Sequence, residues 1–80
     1  MTDIHVPEAL WTTSLLPEGV LEAWRRQDGA LVAAGDDVAE VRIEDALHEL
    51  TAPRAGRLRI LVAPNSVVEP GVAIGRIDPA

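Results

Sequence analysis

The sequence predicts an all-β fold, and two observations support this prediction. Proline and glycine residues interrupt the 80-residue chain at short intervals, so few windows longer than a strand lack a turn-forming residue. Between these turns, short segments alternate apolar and polar residues with the period of two that a half-buried strand requires. We therefore expect short strands joined by tight turns along the whole chain.

Three segments alternate most clearly, at positions 4–6, 39–43 and 57–62. In the third segment, Leu58, Ile60 and Val62 share one face, whereas Arg57 and Arg59 point to solvent. Because this pattern has the period of a strand and not of a helix, we predict a strand at each of the three segments.

Residues 18–27 and 36–50 also contain many helix-forming residues, but an internal repeat favours strands there. Residues 21–41 and 58–77 share one order of features: an apolar run, a polar turn, an apolar pair, a glycine turn and an alternating strand. Because a solenoid needs about three repeats, two copies indicate two halves related by pseudo-two-fold symmetry. Two matching half-sheets that close on one another predict a small flattened β-barrel or sandwich.

The composition limits the possible partners. The net charge is −6, and all seven cationic side chains are arginines, so the sequence contains no lysine. An acidic surface disfavours nucleic acid and anionic membranes, but it permits docking onto a basic protein patch. No apolar stretch approaches the ~18 residues of a membrane span, and no signal peptide is visible. We expect a single domain over residues 1–80, a monomer located in the cytoplasm.

Six segments in order resemble the lipoyl/biotinyl attachment domain family, and together they cover residues 18–78. They are residues 18–24 (EGVLEAW), 28–36 (DGALVAAGD), 38–41 (VAEV), 51–58 (TAPRAGRL), 67–71 (VVEPG) and 74–78 (IGRID). The second segment departs from the family at Ala30, where aspartate is usual. The resemblance implies an all-β barrel-sandwich hybrid, a flattened β-barrel of two four-stranded sheets, which agrees with the repeat.

The family presents one modified lysine at the tip of a β-hairpin, in D-K-A for lipoyl domains and M-K-M for biotinyl domains. In this chain the corresponding position is Asp45, ten residues after Gly35 and eight before Pro53. Its neighbours are Glu44 and Ala46, of which only Ala46 fits the lipoyl motif. Lipoate and biotin are carried as amides of the lysine amine, so the resemblance implies that neither cofactor is attached here.

The predicted function is that of a non-enzymatic, carrier-like module, an accessory or docking component of an acyl-transfer or 2-oxo acid dehydrogenase system. The expected partner is a protein, namely a dehydrogenase, acyltransferase or ligase subunit, and the expected partner-binding residues are Glu44, Asp45 and Ala46. One alternative stays open. A stand-alone module that has drifted in function would use the same acidic tip for a cation or a basic protein.

The remaining polar and aromatic residues support no catalytic or metal site. His5 and His48 lack the partners that a metal pair or a general base requires. Trp24 matches a position that is commonly tryptophan in lipoyl domains, where we expect it to pack in the core. For Trp11 two positions stay open: it covers one open end of the sandwich, or it remains exposed as a contact residue.

Overall fold

The structure is a computed structural model, and it describes residues 2–12 and 18–80. The eight strands within these ranges are β1 (Thr2–His5), β2 (Gly19–Trp24), β3 (Leu31–Val32), β4 (Asp37–Ile43), β5 (Ala46–Thr51), β6 (Gly56–Ile60), β7 (Val67–Val68) and β8 (Ala73–Asp78). They form two four-stranded antiparallel sheets. Sheet 1 has the order β1-β8-β6-β3, and sheet 2 has the order β5-β4-β2-β7. The prediction of an all-β fold with two four-stranded sheets is confirmed.

The two segments with competing helical character are strands. Residues 18–27 contain β2, and residues 36–50 contain β4 and most of β5. Across residues 2–12 and 18–80 the only helix is a short 3-10 helix, Glu8–Leu10. No helix in this part of the chain is long and apolar enough to cross a membrane. Pairing between strands distant in sequence thus outweighs local helix propensity.

Equivalent residues in the two predicted halves make equivalent backbone hydrogen bonds. The Leu21 N–H donates to the Ser66 carbonyl at 2.9 Å, and the equivalent Leu58 N–H donates to the Ala30 carbonyl at 2.8 Å. At the strand level, β2 lies between β4 and β7 in sheet 2, as β6 lies between β8 and β3 in sheet 1. The pairing pattern of one half is therefore repeated in the other.

The equivalence extends to the two long edge strands. Leu50 of β5 pairs with Ala39 of β4, and Ile4 of β1 pairs with Gly75 of β8 at the equivalent position. In both pairs the register shifts beside this position. Strand β1 lies outside the region that resembled the family, yet it completes sheet 1 as β5 completes sheet 2.

The core consists of apolar side chains from equivalent positions in the two halves. The buried equivalent pairs are Leu21 with Leu58, Val32 with Val68, Val38 with Ile74, and Val41 with Ile77. No described residue with a polar or charged side chain is buried among them. Burial of these aliphatic side chains is the main stabilising contribution available to a chain with so little aromatic content.

Both tryptophans pack against the core. The Trp24 Nε1 donates to the Val62 carbonyl at 2.8 Å, which ties β2 of sheet 2 to the segment that follows β6 of sheet 1. Trp11 is only 8% exposed and lies against Gly19, so it covers the core and is not an exposed contact residue. This resolves the two positions that the sequence left open for Trp11.

The hairpin between β4 and β5 and the chain ends lie at opposite ends of the molecule. Thr2 pairs with Ile77, so both chain ends meet at one end of sheet 1. From there β1 runs toward the other end, where Trp11 and Ile43 both approach Gly19. Because Ile43 is the last residue of β4, the hairpin begins at this far end.

Two glycines at equivalent positions allow neighbouring strands to approach closely. A Cβ at Gly19 would lie 2.8 Å from the Arg42 carbonyl oxygen and 3.1 Å from Ile43 Cγ1. A Cβ at the equivalent Gly56 would collide with the Asp78 carbonyl oxygen. Backbone atoms cannot yield as a flexible side chain does, so any side chain at these positions displaces a strand.

We expect Gly19→Ala and Gly56→Ala each to lower the free energy of unfolding by about 1–3 kcal/mol, because the added methyl group overpacks the sheet. The measurement is chemical denaturation followed by tryptophan fluorescence. Glu49→Ala, at an exposed position of β5, is the control, with an expected change within about 0.5 kcal/mol. Unfolding free energies for the two glycine variants that equal the control would contradict the close approach.

Candidate functional site

The candidate site is the tip of the β4–β5 hairpin. Ile43 pairs with Ala46, so Glu44 and Asp45 alone form the turn. Glu44 has a φ of 55°, a value that residues other than glycine and asparagine seldom adopt. Glu44, Asp45 and Ala46 are all exposed to solvent. The structure therefore brings together the three residues that the sequence singled out, at a hairpin tip as expected.

Arg42, which precedes the buried Ile43 at the end of β4, forms an ion pair. Arg42 Nε lies 2.7 Å from Glu22 Oε1 on the neighbouring β2. This hydrogen bond and the Glu22 charge raise the pKa of the Arg42 guanidinium above its ordinary value, and the Asp45 charge adds a smaller increase. Arg42 thus interacts most strongly with Glu22 and more weakly with Asp45 at the tip.

Next to the tip, one row of cross-strand neighbours spans sheet 2 on its outer face. Leu47 pairs with Arg42, Arg42 with Val20, and Val20 with Val67. Leu47 is 49% exposed and Val67 is 61% exposed, whereas Val20 is half-buried. We call these four residues the outer row of sheet 2. Apart from Arg42, they are apolar side chains that solvent reaches.

A shallow depression lies beside the tip, with a volume of about 210 Å³. Its lining includes Val20, Val67, Arg42 and Glu44. The depression therefore joins one end of the outer row to the acidic turn.

The other polar residues considered from the sequence form no site with the tip. The Asp36 carboxylate accepts a hydrogen bond from the Ala33 N–H at 2.8 Å, so it belongs to a turn. His5 is on β1 of sheet 1, and His48 is half-buried on β5 of sheet 2 beside Val41. Within the described ranges, no group of three or more His, Cys, Asp or Glu side chains is placed to hold a metal ion.

The side chains at the tip do not fit lipoate or biotin. Both groups are carried through an amide, which requires a nucleophilic amine, and a lysine also supplies a long flexible stem. Glu44 and Asp45 offer carboxylates, Ala46 offers a methyl group, and the sequence contains no lysine. The tip instead provides negative charge next to an apolar surface.

Comparisons with known proteins place this geometry in context. The model of the biotin/lipoyl family, described as "Biotin-requiring enzyme", matches residues 3–77. A solved structure, the lipoyl domain of the 2-oxoglutarate dehydrogenase complex from Azotobacter vinelandii, is similar with a TM-score of 0.79 and 18% identity. The match covers 98% of this chain and 96% of that one. No curated protein sequence matches this chain. At this identity, the structural likeness shows the fold alone.

We expect Glu44→Asn to raise the free energy of unfolding by up to about 1 kcal/mol, because asparagine tolerates the left-handed backbone that Glu44 adopts. Asp45→Asn is the matched control, since it removes the same charge at a turn position without a positive φ. Thermal and urea unfolding of both variants would measure the difference. A larger gain from Asp45→Asn than from Glu44→Asn would contradict the turn geometry.

Proposed function

The chain belongs to the biotin/lipoyl domain family, and from this membership we propose that it is a non-catalytic, carrier-like module that carries neither lipoate nor biotin. It acts as an accessory or docking component beside an acyl-transfer or 2-oxo acid dehydrogenase system. A monomeric state and a cytoplasmic location are part of this proposal. The observation that supports it is Asp45, an exposed carboxylate at the hairpin tip of an otherwise complete scaffold.

The absence of a carrier function follows from chemistry at the tip. Attachment of lipoate or biotin requires the amine of lysine, and neither carboxylate of the Glu44–Asp45 turn can replace it. No shift of register supplies a lysine, because the sequence has none. The scaffold is therefore kept without the group that a carrier moves between active sites.

Docking is the function that the remaining surface supports. Glu44, Asp45 and Ala46 project at one end of the molecule, and the net charge is −6. Such a surface steers encounters with a basic protein patch and helps to select the partner. The similar solved structure is a lipoyl domain of a dehydrogenase complex. We therefore propose a dehydrogenase, acyltransferase or ligase subunit as the partner.

The alternative of a cation bound at the same tip has less support. Calcium takes 6–8 oxygen ligands and magnesium takes six. Within the part of the chain described, no third acidic or histidine side chain joins Glu44 and Asp45 in a metal-binding group. Heat released on titration with calcium or magnesium, and lost in the Asp45→Asn variant, would favour the alternative.

Restoring the lysine tests the position of the tip. We expect Asp45→Lys, and above all the double variant E44D/D45K that recreates the D-K-A motif, to be lipoylated by a lipoate ligase during co-expression. Intact mass measures the modification, and biotin ligase is tested in parallel. The controls are the parent chain and Glu44→Lys, which places the amine one residue earlier; we expect neither to be modified. A modified parent, or an unmodified double variant, would contradict this assignment.

Affinity capture tests the docking role. We expect the immobilised parent chain to retain a dehydrogenase, acyltransferase or ligase subunit from an extract of the source organism. The E44Q/D45N variant keeps the shape of the tip without its charge, and we expect it to retain less of that subunit. Rising salt should weaken retention of the subunit by the parent more than retention by this variant, because exposed charges are screened. Enrichment of none of these subunits would count against the proposal.

A further inference from the structure

We propose that the outer row of sheet 2 is the affinity-determining part of the docking surface. Its occupant is a protein surface that presents an apolar side chain flanked by arginine or lysine. This inference rests on the proposed docking function and deepens it, because it names the chemistry of the partner. It also adds Val20, Leu47 and Val67 to the residues that the hairpin tip supplies.

The internal symmetry shows that the fold does not require an apolar side chain at the position of Val20. In sheet 1 the positions equivalent to Val67 and Val20 are Leu31 and Arg57, which pair in the same register. The position equivalent to Arg42 is Asp78, the strand partner of Arg57. One half therefore carries adjacent charged residues where the other carries Val20 beside Arg42.

The charged side chains of Arg57 and Asp78 in sheet 1 make their polar contacts within the molecule. Arg57 Nη1 donates to the Gly29 carbonyl at 2.7 Å, and Arg76 Nε lies 3.1 Å from Asp78 Oδ1. The same backbone thus accommodates charged residues at the positions of Val20 and Arg42, whereas at the position of Val67 both halves carry an exposed apolar residue. An apolar side chain at position 20 is therefore not demanded by the fold, and an interface that also includes the exposed Leu47 and Val67 would account for it.

The surroundings of the outer row determine the charge of its partner. Glu22 holds the Arg42 guanidinium at 2.7 Å, so this cation is compensated within the sheet. Glu18, Glu44 and Asp45 lie exposed around the same end of sheet 2. A second copy of this chain would bring two acidic rims together, which is unfavourable, whereas a basic rim on a partner is complementary.

The depression beside the tip fits one apolar side chain. It has a volume of about 210 Å³, and its lining includes Val20 and Val67 together with Glu44 and Arg42. An apolar anchor from the partner would lie against the two valines, and flanking arginines would meet the glutamates. Buried anchors of this kind slow dissociation, whereas charges at the rim mainly raise the association rate.

The test uses the ¹⁵N-labelled chain and three synthetic peptides. The first peptide has a leucine flanked by arginines on both sides, the second has alanine in place of the leucine, and the third has glutamates in place of the arginines. We expect the first peptide to shift the amide signals of Val20, Leu47 and Val67, the second to do so less, and the third not at all. Shifts centred on Leu31, or equal responses to all three peptides, would overturn the inference.

Matched variants separate this inference from the proposed function. We expect Val67→Ser and Leu47→Ser each to weaken binding of the leucine peptide about fivefold, since each removes apolar area from the contact. Leu31→Ser is the control, because Leu31 is 63% exposed at the position equivalent to Val67, which is 61% exposed. We expect it to bind the peptide as the parent does.

Capture of the partner subunit by these variants distinguishes docking by the outer row from docking by the hairpin tip. Should E44Q/D45N lose it while Val67→Ser and Leu47→Ser retain it fully, the outer row is not the anchor, although docking by the tip stands. If all three variants retain the subunit as the parent does, the result contradicts both the outer-row inference and the docking role of the tip. Sedimentation velocity tests whether a second copy of this chain occupies the outer row instead. A dimer of the parent chain that the Val67→Ser substitution dissociates would overturn the inference.

Discussion

The burial of equivalent apolar side chains between the two sheets is the constraint on which the rest of the structure depends. Leu21 and Leu58 are fully buried at equivalent positions, as are Val41 and, to within 1%, Ile77. Because side chains alternate along a strand, the inward position of Val41 fixes Arg42 on the outer face. The core therefore decides which residues sheet 2 presents to a partner and where the hairpin leaves the sheet.

The elements that could be predicted from the sequence are those with a local signal. Alternation and glycine turns revealed the strands and their repeat, and the resemblance to the family, aligned at Gly35 and Pro53, implied that Asp45 is at the tip. The burial of Trp11 had no such signal, because its position depends on contact with Gly19 near the start of β2. Local patterns report on a strand, but not on what a preceding segment covers.

The outer row of sheet 2 lay beyond sequence reasoning for a related reason. Its members come from four strands whose spatial order, β5-β4-β2-β7, differs from their order in the chain. Val67 and Leu31 each begin a two-residue apolar strand, and only the register shows that the first residue faces out and the second faces in. Comparison of the two halves, position by position, would have singled out Val20, whose equivalent in sheet 1 is Arg57.

The equivalence of β1 and β5 has a consequence for how this architecture tolerates change. Since β1 lies beside β8 as β5 lies beside β4, the strands of sheet 1 pair without a direct connection at the place that the Glu44–Asp45 turn occupies in sheet 2. Covalent continuity at the turn is thus dispensable to the architecture. Side chains other than lysine at the turn are therefore compatible with the pairing of β4 and β5.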